Sequence, residues 1–211
     1  MNDLNVYINQ TKNISGRKYE EYTKKFKMES EIHPEIDFET HSGFLPFKLK
    51  LNEGFFKDKE LLSGFEYYVS SFELETAKKE IDKIAKKRTS IGGFFRKKKN
   101  LKSYLNDFFV NEEIDNELIK CNNDILISFN NADSFEMRMA LSFATFLVET
   151  CNGVLYDTES GTWYYSGGLY HSGNQSWNRN NIFDTMLGSI NDYEKGFNES
   201  NIIFHEFKEW I

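Results

Sequence analysis

Between Asp124 and Tyr165 the apolar positions change period twice, and those changes outline the best-defined unit of the chain. Ile125-Leu126-Ile127-Ser128-Phe129 is a short apolar run of strand type, closed by a polar turn at Asn130-Asn131-Ala132. Asp133 and Glu136 have the spacing of a capping box, in which the two side chains satisfy backbone N–H groups at a helix start. Phe135, Met139, Phe143, Leu147 and Cys151 then recur at every fourth position, with Ala140, Ala144 and Val148 beside them. That stripe predicts an amphipathic helix with one face against a core. Asn152-Gly153 tolerates the left-handed backbone that ends a helix. Val154-Leu155-Tyr156 predicts a strand, Thr158 to Gly161 a turn, and Thr162-Trp163-Tyr164-Tyr165 a returning strand.

A second unit lies upstream. Phe44 to Leu51 alternates as a strand with Phe47, Leu49 and Leu51 on one face, and Phe65 to Val69 predicts another. Ser70 and Glu73 fit a capping box, after which Leu74, Ala77, Ile81, Ile84 and Ala85 mark a helix face running to about Arg88. Its outer face is charged, with Glu75 four residues before Lys79, a modestly stabilising spacing. Residues 1–43 form a polar, mixed N-terminal region with Tyr19, Tyr22 and Phe26 at helical spacing in a weak first helix. Residues 166–181 are rich in Gly, Ser and Asn and predict a long loop, 182–190 a short helix, and 202–207 an edge strand.

These switches between strand-like runs and helical periodicity predict an α+β fold, a mixed or antiparallel sheet with two main helices packed on it. Strand-then-helix occurs around 65–88 and again around 125–151, a recurrence compatible with a ferredoxin-like pseudo-repeat, although the copies share pattern and not sequence. At 211 residues the chain predicts one domain spanning 1–211. With 20 Phe and 11 Tyr, aromatic rings must fill much of its interior.

Charge narrows the partners. Acidic residues outnumber basic ones 33 to 26, for a formal charge of −7, which disfavours a nucleic-acid partner and fits a protein that masks a basic one. The distribution is uneven: Lys78 to Lys102 carries eleven basic residues and two acids, leaving −16 for the rest. Within it, 89–103 reads as a basic flexible segment with Ile91-Gly92-Gly93-Phe94-Phe95 as an apolar tip and Arg96, Lys97, Lys98 and Lys99 as candidate anion-binding residues. The same run also reads as a solvated helix end and loop, balanced by Asp107, Glu112, Glu113, Asp115 and Glu117. Gly92-Gly93 lacks the spacing of a phosphate-binding loop.

The first residues show no charged and apolar leader pattern, and no run of 18 apolar residues occurs, so a cytoplasmic protein without a membrane span is expected. Cys121 and Cys151 are then free thiols, Cys151 on the apolar helix stripe. His33, His41, His171 and His205 share no metal-ligand spacing with each other or with cysteine, so neither a metal nor a cofactor is expected. Asp157 stands at a strand end before a turn, where both functional groups and routine turn residues occur. The stretch after it gathers Glu159, Trp163, Tyr164, Tyr165, Tyr170, His171 and Trp177. Exposed aromatics of this kind mark protein-binding hot spots, and buried ones are core.

Ser134-Phe135-Glu136-Met137-Arg138-Met139-Ala140, then Asn152 to Asp157, then Thr162-Trp163-Tyr164 together resemble a pattern in small uncharacterised bacterial proteins of the toxin-immunity type. The similarity covers roughly 40 of the 211 residues and transfers no residue role. It implies a protein partner, toxin-like, and a non-catalytic protein-binding function. On that expectation Asp157, Glu159, Trp163, Tyr165, Tyr170, His171 and Trp177 form the partner-binding set and no residue is catalytic. The competing expectations are a small hydrolase-like enzyme that uses His171 or His205 with Asp157, and an anionic-surface binder that works through the basic segment.

Overall fold

Leu4, Val6 and Ile8 alternate with Asp3, Asn5 and Tyr7, and this period of two places Asn2–Ile8 (β1) in a sheet. The computed structural model describes residues 2–53, 57–58, 60–80, 111–130, 134–173 and 176–194. Eight further strands complete the sheet: Met28–Ile32 (β2), Gly43–Leu51 (β3), Glu60–Ser71 (β4), Asn123–Phe129 (β5), Val154–Asp157 (β6), Thr162–Tyr165 (β7), Gly168–His171 (β8) and Ser176–Asn178 (β9). Their order is β2-β3-β4-β5-β1-β6-β7-β8-β9, and every neighbouring pair is antiparallel. The sheet is thus two meanders, β2–β4 with β5 and β6–β9, joined through β1. Residues 1–43, polar on average, contribute its central strand. The polar positions of β1 are satisfied across the ladder, for Asn5 Nδ2 donates to Asp124 Oδ1 at 3.1 Å and Ser128 Oγ donates to Asp3.

The helices are Gly16–Thr23 (α1), residues 74–80 (α2), Glu112–Leu118 (α3), Ser134–Cys151 (α4) and Ile182–Glu194 (α5). The α+β expectation stands, in its antiparallel form. One face of the sheet carries Leu4, Val6, Ile8, Ile125, Ile127, Phe65, Tyr67 and Leu155, which form a single core with α4, α1 and α5. The opposite face carries Tyr7, Tyr156, Trp163, Tyr165 and Tyr170, packed with Leu74 of α2, with Ile114 and Leu118 of α3, and with Cys121. The two strand–helix units therefore enter the sheet differently. β4 pairs directly with antiparallel β5, whereas β5 and β6 run parallel across the intervening β1, linked by α4.

Two local expectations change. The segment 166–181 holds β8 and β9 rather than a loop, because the two-residue connection Ser166-Gly167 turns the chain straight back from β7. Gly168 makes the return possible: its φ is +135°, and a Cβ there would lie 2.5 Å from the Asn178 carbonyl oxygen. Ser70 is in β4 and does not cap α2; Glu73 immediately precedes the helix, its carboxylate accepting the Thr76 hydroxyl and its carbonyl the Ala77 N–H at 3.0 Å. The C-terminal stop of α4 is as expected, with Asn152 at φ 51° and Gly153 N–H donating to Leu147 O at 3.2 Å. The Asp133 cap, the helix beyond residue 80, the basic segment 89–103 and the strand at 202–207 lie outside the described residues.

Phe143 of α4 is the hub of the larger core. Its ring meets Tyr19 at 5.0 Å, Phe65 at 5.4 Å, Phe38 at 5.6 Å, and Tyr67 and Phe146 at 6.0 Å between centroids. The Tyr19 hydroxyl, inside this cluster, shares a hydrogen bond with Ser142 Oγ at 2.7 Å. Arg138, also buried on α4, donates to the Phe26 carbonyl at 3.1 Å and so ties the turn after α1 to the helix.

Phe143→Ala is expected to cost about 3–5 kcal/mol in denaturant unfolding, a large share of a typical domain's stability of about 5–15 kcal/mol, while Glu29→Ala on the exposed edge strand shifts stability by less than about 0.5 kcal/mol. A second expectation concerns Asp124, whose carboxyl pKa burial raises, against the opposing hydrogen bond from Asn5. The native state then binds that proton more tightly than the unfolded chain. The stability this brings is complete below the unfolded value of about 3.9 and is lost as pH rises through the native pKa. Asp124→Asn should therefore raise Tm at pH 7, and thermal melts should show the gain shrinking toward pH 3.

Candidate functional site

The β6–β7 hairpin is closed by a turn that Asp157 organises. Asp157 Oδ1 accepts the backbone N–H of Glu159 at 2.9 Å and of Ser160 at 3.3 Å, and Oδ2 accepts the Ser160 hydroxyl at 2.6 Å. Gly161 completes the bend at φ +64°. From Ser160 the contacts continue: its Oγ lies 2.8 Å from Thr162 Oγ1, which lies 2.7 Å from His171 Nδ1 on β8. Each hydroxyl has one proton to give. Ser160 presents its proton to both Asp157 Oδ2 and Thr162 Oγ1, and the direction of the Thr162–His171 bond follows the imidazole tautomer. Tyr164 stands beside these groups, its phenol pushed up to about 12 chiefly by burial and next by the Asp157 charge, against hydrogen bonding from Thr162 and Ser160. It is a neutral donor at physiological pH.

Next to this turn is a cavity of about 260 Å³ on the face that carries α4. Leu4 and Phe129 come from the sheet, Met137 and Leu141 from α4, Met186 from α5, and Tyr164 from β7. The polar part of its lining is Asn2, Asp157, Glu159 and Ser189. Glu159 is exposed and accepts a hydrogen bond from Asn2 Nδ2; Asp157 is half-buried. Among the described residues neither carboxylate has a salt-bridge partner, so their hydrogen bonds come from neutral donors and their charge is uncompensated locally.

The structure divides the residues singled out by sequence between the two faces of the sheet. Asp157 and Glu159 line the cavity, and half-buried His171 joins Asp157 through the two hydroxyls. Trp163, Tyr165 and Tyr170 lie on the opposite face at 1%, 6% and 6% exposure, as core. Trp163 stacks on Tyr156 at 4.3 Å, and Tyr165 donates its hydroxyl to Glu113 of α3, which pairs with Arg179 at 3.4 Å. Trp177 is opposite Tyr170 in the β8–β9 register. Arg96, Lys97, Lys98, Lys99 and His205 lie outside the described residues. Sequence reasoning did not select Asn2, Leu4, Met137, Met186 or Ser189 for the site. They are far apart in the chain, and only the alternation at Leu4, Val6 and Ile8 signalled that β1 enters the sheet.

Among the described residues no group of three His, Cys, Asp or Glu side chains is placed to hold a metal, and no helix is long and apolar enough to cross a membrane. Both cysteines are free and buried. Burial pushes the Cys121 thiol up to about 12, with the Glu117 charge adding to it and Lys120 opposing, and pushes Cys151 up to about 11, with Lys18 opposing. Compared with known proteins, the chain matches no family model, no curated protein and no solved structure.

Since the thiolate is the reacting form, neither cysteine is expected to be labelled by a maleimide in native protein at pH 7.5 over minutes, and both should be labelled once guanidinium unfolds it. Intact-mass measurement of the adducts checks this. Rapid labelling of native protein at one site would show that the packing around that thiol opens readily.

Proposed function

We propose that this chain is a non-catalytic protein-binding protein of the toxin-immunity kind, which meets a basic partner at the Asp157–Ser160 turn. The observation that carries this reading is an apolar cavity rimmed by two carboxylates with no cationic partner among the described residues. An acidic rim steers a basic surface toward it and rejects acidic ones, and an apolar floor gives the encounter area to bury. The formal charge of −7 works in the same direction. The partial resemblance around 124–165 belongs with this reading, since the β6–β7 turn lies inside it.

A small hydrolase-like enzyme is the second reading, favoured by one observation, the hydrogen-bonded chain from His171 through Thr162 and Ser160 to Asp157. It would require hydrolysis of a surrogate ester to disappear in His171→Ala.

Glu159→Lys tests the binding reading without disturbing the turn, because Asp157 and not Glu159 holds the backbone there. Tagged wild-type chain, Glu159→Lys and the distant-edge control Glu29→Lys are used to capture proteins from the native host at low and moderate salt. The expected result is a stoichiometric basic protein retained by wild type and Glu29→Lys, with a dissociation rate at least tenfold faster for Glu159→Lys. A partner held equally by all three chains, or no stoichiometric partner at all, refutes the proposal.

A further inference from the structure

We infer that the cavity beside the Asp157–Ser160 turn receives one arginine side chain of the protein partner. This rests on the protein-binding reading and names the chemistry of its central contact. Size is the first argument. At about 260 Å³ the cavity is smaller than the 300–1,000 Å³ of sites that enclose drug-sized ligands or cofactors, so it suits a single long side chain better than a free cofactor.

The order of the lining groups is the second. Leu4, Met137 and Met186 give an apolar wall that an aliphatic stem can cover, and methionine adapts to the shape of what it meets. Asp157 and Glu159 then supply negative charge at the rim. Their present donors are neutral, so a cation adds Coulomb energy that those hydrogen bonds do not provide.

The third argument separates arginine from lysine. The planar guanidinium offers several N–H groups in a fixed fork, which can serve two carboxylates two residues apart, and its flat face can lie on the Tyr164 ring in the same wall. It is also more weakly hydrated than an ammonium, so it loses less on entering a partly apolar site.

The test is a two-dimensional amide NMR titration of the full chain with N-acetyl-arginine amide, N-acetyl-lysine amide and N-acetyl-norleucine amide. The arginine compound should produce saturable shifts at Asn2, Glu159, Ser189 and Met186, weakening as salt is raised. The lysine and norleucine compounds should bind at least tenfold more weakly. Glu159→Gln, which can still accept the Asn2 hydrogen bond, should weaken the arginine compound severalfold with Tm unchanged. Met186→Trp, which fills the cavity, should abolish the shifts. Equal binding of norleucine overturns the role of the carboxylates, equal binding of lysine overturns the choice of arginine, and absence of shifts with all three overturns the site.

The two proposals fail differently. If a partner is captured through Glu159 but the arginine compound is silent, the occupant is wrong and the binding function stands. If the arginine compound binds and no partner is captured, the pocket chemistry stands and the function is wrong.

Discussion

β1 is the constraint on which the remaining structure depends. Its register with β5 runs from Asn2↔Phe129 to Ile8↔Asn123, and with β6 from Leu4↔Asp157 to Tyr7↔Val154. Among the described residues no other strand links the meander of β2–β5 to that of β6–β9. The side-chain period of two then fixes everything laterally. A slip of one residue would turn Leu4, Val6 and Ile8 away from α4 and bury Asp3 and Asn5 beneath it. The Asn5–Asp124 and Asp3–Ser128 hydrogen bonds penalise that slip from the other face.

The same strand links the fold to the candidate site. Leu4, facing α4, is paired with Asp157, and both line the cavity together with Asn2 of β1. The acidic turn is therefore mounted on the best-supported part of the sheet. The aromatics of β6–β8 complete that support from behind: Tyr156 and Trp163 stack under α3, while Tyr165 connects to Glu113 and Arg179. Trp163, Tyr165 and Tyr170, which the sequence offered as recognition residues, are thus packed core behind the candidate site.

How much could be read in advance varies with the strength of local signals. The β5–α4–β6–β7 unit was legible because its periods are clean and Asn152-Gly153 marks the helix end. β1 was not, since Asn and Asp are poor strand formers in isolation and only cross-strand partners from 124 and 128 make them acceptable. β8 and β9 were masked by their Gly, Ser and Asn content, which serves two tight reversals of the chain. Of the site, Asp157 and Glu159 were visible as turn residues. The apolar floor was not, because Leu4, Met137 and Met186 meet only through the tertiary fold.

The position of β1 also determines when the fold can be finished. During synthesis the β2–β3–β4 meander has all its parts once Ser71 emerges, so that flank can assemble while translation continues. Residues 2–8 are made earlier still, yet one of their ladders waits for residues 123–129 and the other for 154–157. Until then the nascent chain carries a strand with two open hydrogen-bonding edges, an invitation to wrong partners. Vectorial synthesis thus gives this protein a long interval in which its first strand needs shielding, and the centre of the sheet closes only after its outer flank.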